Sequence, residues 1–182
     1  MRFISLDCGL VPEDTTYVER TTNITYVSDG THIDSGVARR INVTLRTEFQ
    51  QQLWNLRSFP DGQRNCYNFN LTKNRRYLIR GFFLYGNYDG LNILPSFDLY
   101  IGQTKWTSVS LPEGGNAFMD EIIHVLKQDR LQICLVKTGE TTPFISSLEL
   151  RPLDSNVTYV SQSGSLMLVA RLYFSPTPSF IR

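Results

Sequence analysis

Apolar positions in this chain come in short runs that recur roughly every 8 to 15 residues, and most of the segments between them carry Pro, Gly, Asn or Asp. The densest run, Tyr77-Leu78-Ile79-Arg80-Gly81-Phe82-Phe83-Leu84-Tyr85, is aliphatic or aromatic on both faces. That predicts a central strand of a sandwich with one face on the core. In Leu131-Gln132-Ile133-Cys134-Leu135-Val136-Lys137 the odd positions through Leu135 are apolar, so a strand is expected with Leu131, Ile133 and Leu135 inward. The same pattern predicts strands at 3–7, 38–45, 53–59, 66–71, 97–101, 105–111, 121–126, 144–150 and 166–174. Between two of them Gly86-Asn87-Tyr88-Asp89-Gly90 offers residues that tolerate positive φ and predicts a turn. Rival helical signals are confined to two short stretches, 47–53 and 119–127. The fold class expected is therefore all-β, an antiparallel β-sandwich or jelly roll.

Around Leu153 the character changes. Asp154, Ser155 and Asn156, and the polar run Ser161-Gln162-Ser163-Gly164-Ser165, read as a connection, and the apolar stretch 166–174 follows it. Only eight residues follow it, so a strand there has no obvious partner, which predicts a β-sandwich domain over 1–152 and, over 153–182, a linker with the first strand of a second domain.

Composition narrows the class. Of 182 residues 41% are hydrophobic and only 19% charged, so a substantial core is expected and intrinsic disorder is excluded. Eighteen Lys and Arg against seventeen Asp and Glu leave a net charge of +1, with the cations dispersed, which speaks against nucleic-acid binding. Unbroken apolar stretches reach only four or five residues, as at Leu166 to Ala170, far short of the roughly twenty a membrane helix needs. The start lacks an apolar run of signal-peptide length and meets a charge at Asp7, so either the chain is cytosolic or its true N-terminus lies upstream. Asn-x-Thr occurs at Asn23, Asn42, Asn70 and Asn156, against about one expected by chance, which favours a glycosylated, secreted chain.

Three cysteines, Cys8, Cys66 and Cys134, contain no Cys-x-x-Cys pair, and one disulfide with one buried thiol is the simplest accounting. A Cys66–Cys134 bridge would close a loop of about 68 residues and contribute roughly 4 kcal/mol in the chain-entropy view. The alternative is that both are small core residues. With two histidines, His32 and His124, there is no His-Glu-x-x-His, and neither a Gly-x-Ser-x-Gly elbow nor a phosphate-cradling Gly-rich motif occurs. His124 alternates with apolar residues and reads as a strand histidine at a sheet surface. No catalytic residue, metal ligand or cofactor is expected.

The segments Phe3-Ile4-Ser5-Leu6-Asp7-Cys8-Gly9, Arg57-Ser58-Phe59-Pro60-Asp61-Gly62-Gln63-Arg64-Asn65-Cys66-Tyr67, Tyr77 to Gly90 and Leu131 to Leu150 together resemble the malectin-like ectodomain of plant leucine-rich-repeat receptor-like kinases. The block Cys134 to Pro152, with Lys137-Thr138-Gly139-Glu140-Thr141-Thr142-Pro143-Phe144, is the most specific part. The resemblance implies two tandem malectin folds, each a β-sandwich, outside the cell and ahead of leucine-rich repeats, a membrane helix and a kinase. By that likeness this chain is the first fold, to about Pro152, plus the opening strand of the second. The resemblance also implies a signal peptide upstream, a place on the extracellular face of the plasma membrane in a single-pass receptor, and a kinase only in full-length relatives.

A carbohydrate site on a β-sandwich needs an aromatic face for a sugar ring and polar groups for its hydroxyls. Tyr85, Asn87, Tyr88 and Asp89 combine these on one turn. Animal malectin, for which the fold is named, binds a glucose disaccharide through loop aromatics and an acid, and Tyr85 follows a strand that looks equivalent. The leading expectation is thus a glucose-type or cell-wall oligosaccharide. The alternative is a peptide or co-receptor ectodomain held between two malectin folds, with Phe and Tyr of 95–100 as anchors. A third is a structural spacer kept soluble by its glycans.

Overall fold

The computed structural model describes residues 3–12, 15–112, 117–153, 164–167 and 169. Strands β1 (Ile4–Asp7), β2 (Thr16–Val18), β3 (Thr25–Ser28) and β4 (Val37–Arg40) lead into two 3-10 helices, Val43–Thr47 and Gln51–Leu53. Then come β5 (Asn55–Ser58), β6 (Arg64–Asn70), β7 (Arg76–Leu84), β8 (Ser96–Ile101) and β9 (Thr104–Ser110). The last are β10 (Ala117–Val125), β11 (Arg130–Lys137), β12 (Phe144–Ile145), β13 (Ser147–Leu153) and β14 (Ser165–Met167). They form a seven-stranded sheet in the order β14-β10-β7-β13-β1-β3-β2, a four-stranded sheet β6-β11-β8-β9 and a three-stranded sheet β12-β5-β4. Among the described residues every strand pair is antiparallel except β1 with β3.

One apolar cluster takes residues from all three sheets, among them Leu6, Ile79 and Leu148 from the first, Tyr67, Leu99 and Ile133 from the second and Leu56 from the third. This is the sandwich that the period-two pattern implies. In β6 and β8 every second residue is buried, whereas β7, flanked by β10 and β13, is buried along almost its whole length. At the junction Phe83 of β7 meets Phe97 of β8, Phe118 of β10 and Phe144 of β12, with ring centroids 5.7, 6.1 and 6.2 Å away. Such edge and tilted pairs add about 0.5–1.5 kcal/mol each beyond area burial.

Two buried clusters pair their charges. Asp29 takes two Arg57 hydrogen bonds at 2.7 Å, the Tyr67 hydroxyl at 2.7 Å and the Gly9 amide at 3.0 Å. Gly9 has φ 76, and a Cβ there would lie 2.2 Å from the Leu56 carbonyl oxygen, so only glycine lets this turn approach. On the seven-stranded sheet Arg80 bridges Glu121 and Glu149, and Arg151 adds a second bond to Glu149 at 2.7 Å. Cys66 and Cys134 face each other in the β6–β11 ladder and are joined as a disulfide, and Cys8 is a buried free thiol.

Several expectations need correction. The stretch 38–45 is a strand only to Arg40. Asn42 then caps the first 3-10 helix, its Oδ1 accepting from the Thr44 amide at 3.1 Å, so a local side-chain bond overrides the β pattern. The run 144–150 is two strands: Ser146 breaks it by bonding Leu84, so that β12 joins the three-stranded sheet and β13 the seven-stranded one. The helical signal at 119–127 is β10 as far as Val125, while 47–53 holds the second 3-10 helix and only the last residue of the first. The short strands β2 and β3 were not expected at all. Residues 165–167 pair with β10, and the rest of the 166–174 run, apart from Val169, lies outside the described residues, as do 154–163 with Asn156.

Candidate functional site

The turn that follows β7 is built inward. Gly86 has φ 49 and a Cβ on it would lie 2.6 Å from Ile41 Cγ2, and Asn87 has φ 48. Tyr85, 2% exposed, sends its hydroxyl to Asp89 Oδ1 and, at 3.2 Å, to Asn87 Oδ1. The same Asp89 oxygen accepts the Leu91 amide at 3.1 Å, and Asn87 Oδ1 accepts the Asn92 amide at 2.9 Å. Tyr88, half-buried, stands edge-on to Tyr85 at 5.6 Å and lies against Phe144 at 5.7 Å. Burial and the Asp89 carboxylate push the Tyr85 phenol up to about 12, and burial with the Asp89 charge raises that of Tyr88 as well. Tyr85, Asn87, Tyr88 and Asp89 are thus brought together, but their oxygens close the loop and the Tyr85 ring is core. Beyond the locked base Leu91 and Ile93 stand exposed, at 64% and 57%.

Other expected groups fall as follows. Asn23, Asn42 and Asn70 are all exposed, and the Asn42 cap uses only Oδ1. Phe97 is fully buried, and Tyr100 is half-covered by the Arg64 guanidinium 4.9 Å over its ring, so neither is a free anchor. The reason is register: Phe97 and Leu99 take the inward positions of β8. His124 sits on β10 with Nδ1 2.8 Å from Ser165 Oγ, and burial followed by the Lys127 charge lowers its pKa. Among the described residues no group of three His, Cys, Asp or Glu could hold a metal ion, and no helix is long and apolar enough to cross a membrane.

Sequence reasoning missed a groove of about 610 Å³ between the β2–β3 turn (Glu19, Arg20, Thr21) and the 3-10 helices, with Phe49, Gln51 and Trp54 on the far wall. Its near wall is organised by Glu19, whose carboxylate accepts the Thr21 and Thr22 amides at 3.0 and 2.8 Å and the Thr22 hydroxyl at 2.6 Å. Burial opposes ionisation of Glu19, but the bonds from Thr22 and Thr21 outweigh it and hold the carboxyl below its usual range. The available signal was a Glu followed by two Thr in a short turn.

The family model for the malectin-like domain matches residues 6–182. The chain belongs to the malectin-like domain family. "Probable LRR receptor-like protein kinase At1g51890" of Arabidopsis thaliana is 74% identical over 180 residues, which cover 99% of this chain and 20% of that protein. The "LRR receptor-like serine/threonine-protein kinase IOS1" of the same plant is 54% identical over 171 residues, covering 93% of this chain and 19% of its own length. The chain therefore spans about a fifth of these curated relatives. It corresponds to a malectin-like segment of relatives that are named as receptor-like kinases. Among solved structures, the plant receptor-like kinase FER superposes with a TM-score of 0.78 at 17% identity, covering 92% of this chain and 47% of that one. The ANX2 ectodomain of Arabidopsis thaliana gives 0.74 at 18% identity, covering 85% and 43%. The complex of the plant peptide RALF23 with FER and LLG2 gives 0.64 at 15%, covering 86% and 42%. These distant likenesses fix the malectin-like fold.

Proposed function

We propose that this malectin-like domain is an extracellular ligand-recognition module of a plant receptor kinase and that its ligand is a peptide or a co-receptor ectodomain. The observation that carries this is the Tyr85 turn: its rings and most of its polar oxygens are committed internally, while Leu91 and Ile93 project exposed from the rigid base. Exposed apolar side chains on a pre-organised loop suit protein contact, because little ordering entropy is lost on binding. A solved neighbour that contains a peptide and a co-receptor, RALF23 with FER and LLG2, supports the same class of ligand.

In this reading residues 1–153, with Ser165–Met167 added at the edge of their sheet, form the recognising unit, and a second fold follows it. The module works at the cell surface, bridged at Cys66–Cys134 and glycosylated at Asn23, Asn42, Asn70 and Asn156. An oligosaccharide held by Tyr85, Asn87, Tyr88 and Asp89 has less behind it, since the turn leaves over only one Asp89 oxygen and the Asn87 amide nitrogen and no open ring face of Tyr85. The test is calorimetric titration of the secreted protein with RALF-type peptides, with and without LLG2, beside a Leu91→Asp/Ile93→Asp variant. Saturable binding that the double variant loses supports a protein ligand. Silence from a folded sample toward every one of them rejects it.

A further inference from the structure

A second groove, of about 760 Å³, runs between the β8–β9 turn and the connection from β10 to β11. It falls within the roughly 300–1,000 Å³ common for ligand sites. Ile101, Leu126 and Leu131, all buried, give it an aliphatic floor. Both walls are tied down. At the β8–β9 turn the Gly102 amide donates to the Gln132 carbonyl at 2.9 Å, and the Gly102 carbonyl accepts from Arg64. Past β10 the Leu126 amide donates to the Arg75 carbonyl at 2.9 Å, and the Leu126 carbonyl accepts the Asn74 amide at 2.7 Å. The charge in the groove is of one sign: among the described residues that line it, His124, Lys127 and Arg130 are the titratable groups, with neither a carboxylate nor an aromatic ring. Asp129 lies beside them in the chain but outside the groove, its Oδ1 accepting the Lys73 amide at 2.9 Å.

Lys127 and Arg130 are exposed, and among the described residues neither is ion-paired. His124 spends Nδ1 on Ser165 Oγ at 2.8 Å, which leaves Nε2. Unpaired cations over an aliphatic floor suit a ligand that mixes carboxylates with apolar side chains, and the Gln103 and Gln128 amides can bond its main chain. A sugar ring would find no aromatic face to stack on. We infer that this groove docks an acidic peptide segment, with carboxylates on Lys127 and Arg130 and one against His124 Nε2. His124 faces Tyr77 of β7 across the ladder and Ser165 of β14, and the charged groups lining the groove with it are Lys127 and Arg130. Burial, then the Lys127 charge, favours its neutral imidazole in the free protein, whereas a docked carboxylate favours the imidazolium. Docking therefore takes up a proton and tightens from about pH 7.5 to about 5.5, where peptide glutamates are still ionised. The groove uses no part of the Tyr85 turn and stands apart from the partner proposed for Leu91 and Ile93.

The test is calorimetry of the full secreted chain with a blocked hexapeptide of alternating Glu and Leu, beside its counterpart with Gln in place of Glu. Saturable binding of the acidic peptide alone is expected, weakened roughly tenfold in Lys127→Gln/Arg130→Gln. Arg20→Gln/Arg39→Gln removes the same charge from exposed residues outside the groove and should leave affinity unchanged. Affinity should rise about tenfold from pH 7.5 to 5.5, and His124→Gln, which keeps a partner for Ser165, should cancel that rise. Nuclear magnetic resonance should show the His124 imidazole titrating at higher pH once the peptide is bound. No binding by a folded sample, equal losses in the two double variants, or tighter binding of trigalacturonate than of the peptide overturns the inference. So does an affinity that ignores pH, or a pH response that His124→Gln retains. None of these outcomes bears on the response to RALF-type peptides at Leu91 and Ile93.

Discussion

The Tyr85 turn and the Trp54 groove are made of similar residues: two aromatics, a carboxylate and side-chain amides or hydroxyls near one another. They differ in direction. At the turn both Asp89 and Asn87 face back to the Tyr85 hydroxyl and to the amides of Leu91 and Asn92, and the Tyr85 ring joins Phe144 in the core. In the groove Glu19 likewise holds its own turn, but Trp54, Gln51 and Glu48 on the other wall look into open space. Residue types that could bind a ligand are therefore insufficient. What separates a site from a strut is spare hydrogen-bonding capacity and an uncovered ring face.

The sharpest way to break this contrast is truncation. Tyr85→Ala should destabilise the domain by about 3–5 kcal/mol, the usual cost of removing a large core aromatic, measured as the shift in urea midpoint. Gln51→Ala should be almost silent in the same assay. If Tyr85→Ala were as mild as a surface change, the turn would be a site after all.

How much of this the sequence held depends on where the deciding interaction lies. Local period-two alternation made β6, β8 and β11 readable, because one face of each is core and the pattern records it. Three features escaped. The 3-10 helix after Asn42 depends on one side-chain cap, the split at Ser146 on a bond to Leu84 sixty-two residues away, and the β2–β3 hairpin on Tyr17 and Tyr26 contacts with β1 and β13. The residues of the Tyr85 turn could be named from sequence, but their inward aim comes from Ile41 behind Gly86 and Phe144 behind Tyr88, which only the assembled sheets supply.

A pH titration sharpens the contrast next. Asp7 on β1 accepts the Tyr17 hydroxyl of β2 at 2.7 Å and the Asn55 amide at 3.2 Å, and burial raises its pKa to about 7, partly opposed by those two bonds. The folded state thus holds this proton more tightly than the unfolded chain. Its contribution to stability is full below about pH 4 and lost as pH rises through 7. Glu19 has the opposite sign, stabilising above its ordinary range and failing in acid, so between about pH 5 and 8 it is constant. His124, whose lowered pKa makes it favour the folded state as pH rises toward its ordinary range, opposes Asp7 there, and the Asp7→Asn comparison separates the two. The thermal midpoint should fall across that window and flatten in Asp7→Asn. Amide exchange in β2 and the Glu19 turn should quicken with it, while the Tyr85 turn, whose phenol titrates near 12, should not respond.

The smallest effect concerns the hydroxyl alone. Tyr85→Phe keeps the ring in the core and removes the donor that gathers Asn87 and Asp89, so a loss of about 1 kcal/mol is expected. Both acceptors sit at the half-exposed rim and still hold the Asn92 and Leu91 amides at 2.9 and 3.1 Å, so they are not orphaned. The distinguishing readout is hydrogen exchange at Leu91 and Asn92, which should accelerate more than anywhere in β7. If those amides stayed protected, the loop would be rigid without the phenol. The exposed Leu91 and Ile93 would then owe their position to the backbone geometry of Gly86 and Asn87, and the peptide-contact surface would survive loss of the Tyr85 hydroxyl.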